Sequence, residues 1–222
     1  MIEPPAPVMG QLVRGARSTG RNAARFGALV VAGVILYLLL DVVAQLLPPH
    51  YNPIKQAESD LGVGPYGWIM SLNFVVRGLI ALALVAGLRR SLASDARPRL
   101  ALALLLIWAA GDVLLAVFRT DVPPHRATIH GVIHLAVAFI AFVAVALGEL
   151  ILSLRIAADP RWAAIRPLLL TLACAALVVM VALFLHVLPR AQISGLIERV
   201  FLGLVLLWMV VAGLWLIHVR AA

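Results

Sequence analysis

Charged residues are scarce in this sequence. Lys, Arg, Asp and Glu together make up 13% of its 222 residues, whereas a soluble domain carries about 25%. Hydrophobic residues make up 64% of the chain, and its mean hydropathy is +1.05. This composition excludes an ordinary soluble globular protein and predicts an integral membrane protein.

Three other absences narrow the class further. The single cysteine, Cys174, excludes an intramolecular disulfide. No run of about ten residues alternates between polar and apolar side chains, as the strands of a membrane barrel would. The net charge of +8 comes from basic residues spread between apolar runs, without a nucleic-acid-binding motif. We therefore expect no nucleic-acid partner and expect the basic loops to contact membrane lipids.

Long hydrophobic stretches, in contrast, are abundant. A bilayer core of about 30 Å requires roughly 20 apolar residues per helical span, and lipid cannot satisfy open backbone groups. We predict an all-α polytopic membrane protein, in which a basic arm at residues 1–25 precedes a six-transmembrane-helix bundle at residues 26–220. The predicted spans are residues 26–47, 67–88, 100–118, 129–153, 166–188 and 196–218.

Arginine and lysine are distributed unequally between the two ends of this predicted bundle. Twelve of the 18 basic residues fall in the N-terminal arm, the second and fourth loops and the C-terminal segment, whereas five fall in the other loops. Because positively charged loops stay in the cytoplasm, both termini are predicted to be cytoplasmic. The predicted topology is multi-pass, N-in/C-in, with the first, third and fifth loops facing outward.

Polar side chains within the spans concentrate in the predicted outer half. His130 and His134 share one face of span four because they are four residues apart. Asp112 lies about 9 Å below the outer end of span three, and Arg77 lies about 15 Å deep in span two. Charges at such depth face a partner or a cavity inside the bundle. The sequence therefore predicts an outward-facing polar pocket.

The histidines permit two interpretations. Two histidines at this spacing can bind zinc, and a third ligand is then available from His186, Asp112 or His125. Asp60 or Asp112 would act as the base that activates a zinc-bound water, giving hydrolysis of an ester or amide at the depth of the lipid headgroups. Alternatively, both histidines hydrogen-bond to backbone or carboxylates at the mouth of the helix, since the glutamate of the common zinc-protease motif is absent.

Two further sets of residues also permit alternatives. Arg77 and Asp112 form a buried ion pair between spans two and three, or Arg77 binds a phosphate or carboxylate headgroup with help from Asn73, one turn away. Glu58, Ser59 and Asp60 in the first loop either shape a turn at the surface or belong to a lid over the pocket that carries a catalytic carboxylate.

Local patterns give four smaller predictions. Residues 54–61 are expected to form one or two helical turns lying at the surface. Asp121 either accepts backbone hydrogen bonds in its proline-rich turn or contributes to ligand binding. Thr128 is the predicted N-cap of span four. Trp68 and Trp162 fit anchors at the membrane interface.

Three short segments carry a resemblance to a known family. "ESDLGVGPYGW" (58–68), "FRTDVPP" (118–124) and "TIHGVIH" (128–134) resemble the signature segments of a bacterial and archaeal membrane family called domain of unknown function 998. The resemblance covers roughly residues 30–218 and implies about six helices in a bacterial or archaeal plasma (inner) membrane. It implies no established activity.

Three functional hypotheses remain open from the sequence. The first is a metal-dependent membrane hydrolase acting on a lipid or lipid-like substrate, with zinc held by His130, His134 and His186. The second is a non-enzymatic protein that binds or transports a lipid headgroup or an anionic small molecule over Arg77. The third is a haem or quinone redox protein, for which His134 and His186 are the only reasonable haem-ligand pair.

Overall fold

The computed structural model describes residues 6–92, 97–122, 127–187 and 192–219, and side chains within 22–92, 97–122, 127–185 and 192–219. All regular structure in these ranges is helical. The six long helices are α1 (Ala6–Leu46), α2 (Gly67–Ser91), α3 (Arg99–Val117), α4 (Ile129–Arg155), α5 (Arg166–Val187) and α6 (Ser194–His218). Three short 3₁₀ helices occupy Glu58–Gly62, Ile156–Ala158 and Pro160–Trp162.

Each long helix contains a stretch long and apolar enough to cross a membrane, which confirms the prediction of six such helices. The first such stretch is Asn22–Leu46. Its helix extends back to Ala6, so most of the predicted basic arm continues the same helix. Many large apolar side chains, such as Leu29, Leu79 and Leu135, are exposed on the outside of the bundle, as a lipid-facing surface requires.

The six helices form a closed ring in chain order. Each helix packs against the next one in sequence, and α6 returns to pack against α1. Short connections between successive helices make neighbours antiparallel. One end of the bundle therefore carries the α1–α2, α3–α4 and α5–α6 connections. We call this the Glu58 end, because the first of these connections contains Glu58.

Part of the first connection folds into the Glu58 end. A 3₁₀ turn at Glu58–Gly62 confirms the predicted helical turn. Glu58 is 3% exposed and Leu61 is also buried, whereas Ile54 and Lys55 are exposed, so the predicted surface position is wrong for the buried part of residues 54–61. The reason is docking by the start of α6, where the Leu196 N–H donates to the Ile54 carbonyl at 3.0 Å. Arg199 Nη1 donates to the Pro53 and Gln56 carbonyls at 3.0 and 3.1 Å.

The tryptophans divide between the core and the surface. Trp68 is exposed, as an interfacial anchor would be. Trp162 is fully buried, and its indole N–H donates to Ser91 Oγ at 3.3 Å, so its prediction as an interfacial anchor is wrong. The 3₁₀ turn that contains Trp162 directs the ring inward, where hydrophobic burial and a hydrogen bond both stabilise it.

Candidate functional site

An ion pair between α2 and α3 lies at the centre of the site. Arg77 is 1% exposed and Asp112 is fully buried. The guanidinium donates to Asp112 Oδ1 from Nε at 3.0 Å and from Nη2 at 2.6 Å. This is the buried ion pair predicted between spans two and three, and it connects the two helices through charge-assisted hydrogen bonds.

Two further groups complete this ion pair: Glu58, from the candidate lid, and Tyr37 of α1, which the sequence analysis did not assign to the site. Glu58 Oε2 lies 3.7 Å from Arg77 Nη1, and the Tyr37 hydroxyl donates to Glu58 Oε1. Arg77 Nη1 also lies 3.5 Å from that hydroxyl. Tyr37, Asp41 and Gln45 recur every four residues in the first span. This polar stripe was the available signal that α1 faces the site.

Aromatic rings surround the same guanidinium. Its central carbon lies 5.2 Å from the ring centroid of Phe74 and 5.8 Å from those of Tyr37 and Trp108. These distances allow cation–π attraction in a desolvated setting. Arg77 is therefore held on several sides by groups of the protein itself.

Behind the ion pair, several polar atoms have no partner among the described residues. Both amide atoms of Asn73 are buried without a hydrogen bond, as is Asp112 Oδ2. Asn73, the predicted second headgroup donor, lies one turn from Arg77 in α2 but does not line the cavity described next. Buried amides are normally satisfied, so this region has unused hydrogen-bonding capacity.

A large cavity opens beside the ion pair. Its volume is about 710 Å³, and its walls come from the first connection and from α2 to α6. Its polar lining residues are Ser59, Arg77, Thr120, His134 and Glu198. Its apolar lining includes Leu135, Phe139, Ile140 and Phe184. Leu135, Phe139 and Ile140 are more than half exposed, so the cavity is open on the α4 side.

His134 lines this cavity and has one ring nitrogen without a hydrogen-bond partner among the described residues. It is 4% exposed, and its Nδ1 lies 2.7 Å from the Phe118 carbonyl oxygen. Because a carbonyl only accepts, Nδ1 carries the hydrogen and Nε2 is left as an acceptor. No described side chain or backbone group hydrogen-bonds to Nε2.

The other two predicted zinc ligands lie apart from this arrangement or outside the described side chains. His130 is exposed, and its ring centroid lies 5.4 Å from that of Phe118. The side chain of His186 lies outside the described residues, as does the whole of His125. Among the side chains that are described, no three His, Cys, Asp or Glu residues form a group that could hold a metal ion.

The predicted carboxylates fall in three places. Asp112 pairs with Arg77, whereas Asp60 lines a separate pocket of about 160 Å³ near Tyr51 and Gln56. Burial raises the pKa of Asp60 to about 6. Asp121 accepts the backbone N–H and the hydroxyl of Thr128 at 2.7 and 2.8 Å.

Thr128, which Asp121 holds in place, caps the start of α4. Thr128 Oγ1 accepts the Gly131 N–H at 3.1 Å, which confirms Thr128 as the N-cap.

Of the predicted site residues, the structure brings Ser59, Arg77 and His134 together around the cavity, and Asp112 pairs with Arg77. Asp60 and Asp121 lie away from the cavity lining.

Comparisons with known proteins identify one family. The family model described as "Protein of unknown function (DUF998)" matches residues 31–215, in agreement with the resemblance seen in the three short segments. No curated protein and no solved structure matches the chain. Because the family model covers most of the sequence, the chain belongs to this family of proteins of unknown function.

Proposed function

We propose that this protein binds a membrane lipid or lipid-like amphipathic molecule in the cavity beside Arg77. The hydrocarbon chain lies along the apolar walls formed by α4 and α5. The headgroup lies where Ser59, His134 and Glu198 meet Arg77. The observation that carries this proposal is the cavity itself, which has apolar walls and polar groups that include Arg77 and His134.

The dimensions and chemistry of the cavity support this function. Ligand sites are concave spaces of roughly 300–1,000 Å³, mostly apolar, with a few polar groups that orient the ligand. The cavity has a volume of about 710 Å³, which is within that range. Its open side includes Leu135, Phe139 and Ile140, all on α4. An amphipath in the surrounding bilayer reaches the cavity there without crossing water.

The side of the membrane is part of the same proposal. Most basic residues lie at the end of the bundle opposite the Glu58 end. The positive-inside rule then places the Glu58 end on the outer face of the plasma membrane. The headgroup therefore lies in the outer half of the bilayer.

Photo-labelling tests whether an amphipathic molecule binds in this cavity. The protein is placed in phosphatidylcholine nanodiscs with a 12-carbon alcohol that carries a diazirine in its chain. We expect saturable labelling of peptides containing the cavity-lining parts of α4 and α5. Ala136→Phe, which fills the lining, should abolish it, whereas Ala110→Phe on an exposed position of α3 outside the lining should not. Equal, non-saturable labelling of both variants would refute the proposal.

A metal-dependent hydrolase is the second candidate, because one observation favours it. Metal-ligating histidines usually donate their other ring N–H to a carbonyl or carboxylate, and His134 has this arrangement with Phe118. Elemental mass spectrometry of the purified protein tests it. About one zinc per chain, lost in His130→Ala/His134→Ala, is the expected result. A well-folded protein without a stoichiometric metal would eliminate this candidate and the haem alternative together.

A further inference from the structure

We propose that the headgroup bound in this cavity carries a primary ammonium, so that the ligand is an amine-headed lipid or amphipath. This inference rests on the proposed function, because it specifies the ligand of the same cavity. It replaces the sequence-based expectation of an anionic headgroup over Arg77. Three sets of contacts support it: the neutralisation of Arg77, the free acceptors in the lining, and the balance of charge around them.

The charge of Arg77 is already neutralised by protein groups. Asp112 Oδ1 lies 2.6 Å from one terminal nitrogen, and Glu58 Oε2 lies 3.7 Å from the other. Two carboxylates therefore share one guanidinium. An incoming phosphate or carboxylate would have to displace one of these buried anions or remain beside both of them, and like charges in a low-dielectric interior repel strongly. An anionic headgroup is the wrong complement for this end of the cavity.

The remaining polar groups in the lining are mainly acceptors. His134 presents the bare Nε2 of a side chain that is 4% exposed. Glu198 contributes a carboxyl group, whose Oε2 already accepts the Glu58 N–H at 3.2 Å. Ser59 contributes a hydroxyl, which can also accept. A primary ammonium has three N–H donors, which is the complement of this set. A quaternary ammonium has the charge but no N–H.

The charge balance of the surroundings points the same way. Five carboxyl groups interact electrostatically in this part of the bundle: Asp41, Glu58, Asp60, Asp112 and Glu198. The cations that act on them among the described residues are Arg77 and Arg199. Arg199 also donates to loop carbonyls and to the Tyr51 hydroxyl. A cationic ligand favours the ionised form of these buried carboxyl groups and so offsets the cost of their charge at bilayer depth.

Competition against a neutral probe tests the headgroup. A pyrene-labelled alkyl alcohol is first bound to the protein in phosphatidylcholine nanodiscs. It is then displaced by dodecylamine, dodecyltrimethylammonium or dodecyl phosphate. Ethanolamine, which has the amine but no alkyl chain, is the control competitor. Hydrogen bonds to a charged group discriminate by about tenfold or more. We expect dodecylamine to displace the probe at about one-tenth of the concentration that the other two alkyl compounds require. Ethanolamine alone should fail.

Three variants complete the test. Glu198→Gln should bring the alkyl competitors to similar potency, and His134→Phe should weaken the preference for the amine. Glu149→Gln is the matched control, because Glu149 is a fully buried carboxyl of α4 outside the cavity lining. It should leave the preference intact. If Glu198→Gln does not fold, His134→Phe still decides the question.

The outcomes separate this inference from the proposed function. Preference for dodecyl phosphate, equal potency of all three alkyl compounds, or an unchanged preference in both lining variants would overturn the ammonium assignment while the cavity remains a binding site. Displacement by ethanolamine alone would overturn the requirement for a lipid chain. Failure of the neutral probe to bind the wild-type protein, or binding unaffected by Ala136→Phe, would overturn the proposed function itself.

Discussion

The Arg77–Asp112 ion pair gives the largest stability effect that the structure allows us to calculate. Arg77→Met removes two hydrogen bonds to Asp112 and the cation nearest to Glu58. Two carboxyl groups are then left in the interior without their counter-ion. Truncating one partner of a buried pair costs about 3–5 kcal/mol, so we expect the free energy of unfolding to fall by that amount.

Two companion variants separate the charge effect from loss of packing. Asp112→Asn retains an oxygen acceptor for the guanidinium and leaves Glu58 as a counter-ion, so its expected cost is lower, about 1–3 kcal/mol. Arg77→Met/Asp112→Leu removes both charges. Because apolar replacement of a buried pair is often nearly neutral, the double variant should be more stable than Arg77→Met alone.

Unfolding in mixed detergent–SDS micelles, followed by circular dichroism, provides the measurement. With Asp112→Leu alone as the second single variant, Arg77→Met and the double variant complete a double-mutant cycle that gives the interaction energy of the pair. If Arg77→Met remained within about 1 kcal/mol of wild type, or if the two single losses were additive in the double variant, the pair would not be desolvated as the structure shows it. Either result would refute the electrostatic description of this site.

Three further predictions concern other parts of the fold. Burial raises the pKa of Asp60 from 3.8 to about 6, so its contribution to stability is full below the lower value and is lost as the pH rises through the higher one. The drop in Tm between about pH 4.5 and 7.5 should therefore be smaller in Asp60→Asn than in wild type. Gly195→Ala should destabilise by about 1–3 kcal/mol, because its Cβ would lie 2.1 Å from the Gln56 carbonyl oxygen; Gly203→Ala, with open space around it, should not. Glu149→Met should raise the free energy of unfolding in SDS by about 1–3 kcal/mol, since both carboxyl oxygens are buried without a described partner. A free energy of unfolding that falls by a similar amount would contradict this prediction.

The helices were predictable because their signal is local. Bilayer thickness sets the length of an apolar run, and charged or proline-containing segments separate each of the six runs from the next. The cap at Thr128 was predictable for the same reason, since it depends on the hydroxyl and on the N–H of Gly131 three residues later. Even the Arg77–Asp112 pair was foreseeable, because two opposite charges in the predicted outer half of adjacent spans favour contact.

The loops show where such local reasoning stops. Residues 54–61 contain enough polar side chains to look like a surface turn. Glu58 and Leu61 among them are buried, because α6, about 140 positions later in the chain, docks on the carbonyl groups of the same connection. Trp162 was misassigned for a similar reason, because its partner Ser91 lies 71 residues away. Neither contact leaves a periodic pattern in the sequence.

The sequence alone determined that this is a six-span helical membrane protein with its polar residues concentrated toward one end, because hydrophobic length and charge placement are properties of contiguous segments. Only the tertiary structure decided that Glu58 and Tyr37 join the Arg77 site. It also decided that His134 and Glu198 line one cavity while Asp60 lines another. The physical reason is the closure of the ring of helices, since which side chains meet inside it depends on helix rotation and loop docking, and both are set by contacts between residues distant in sequence.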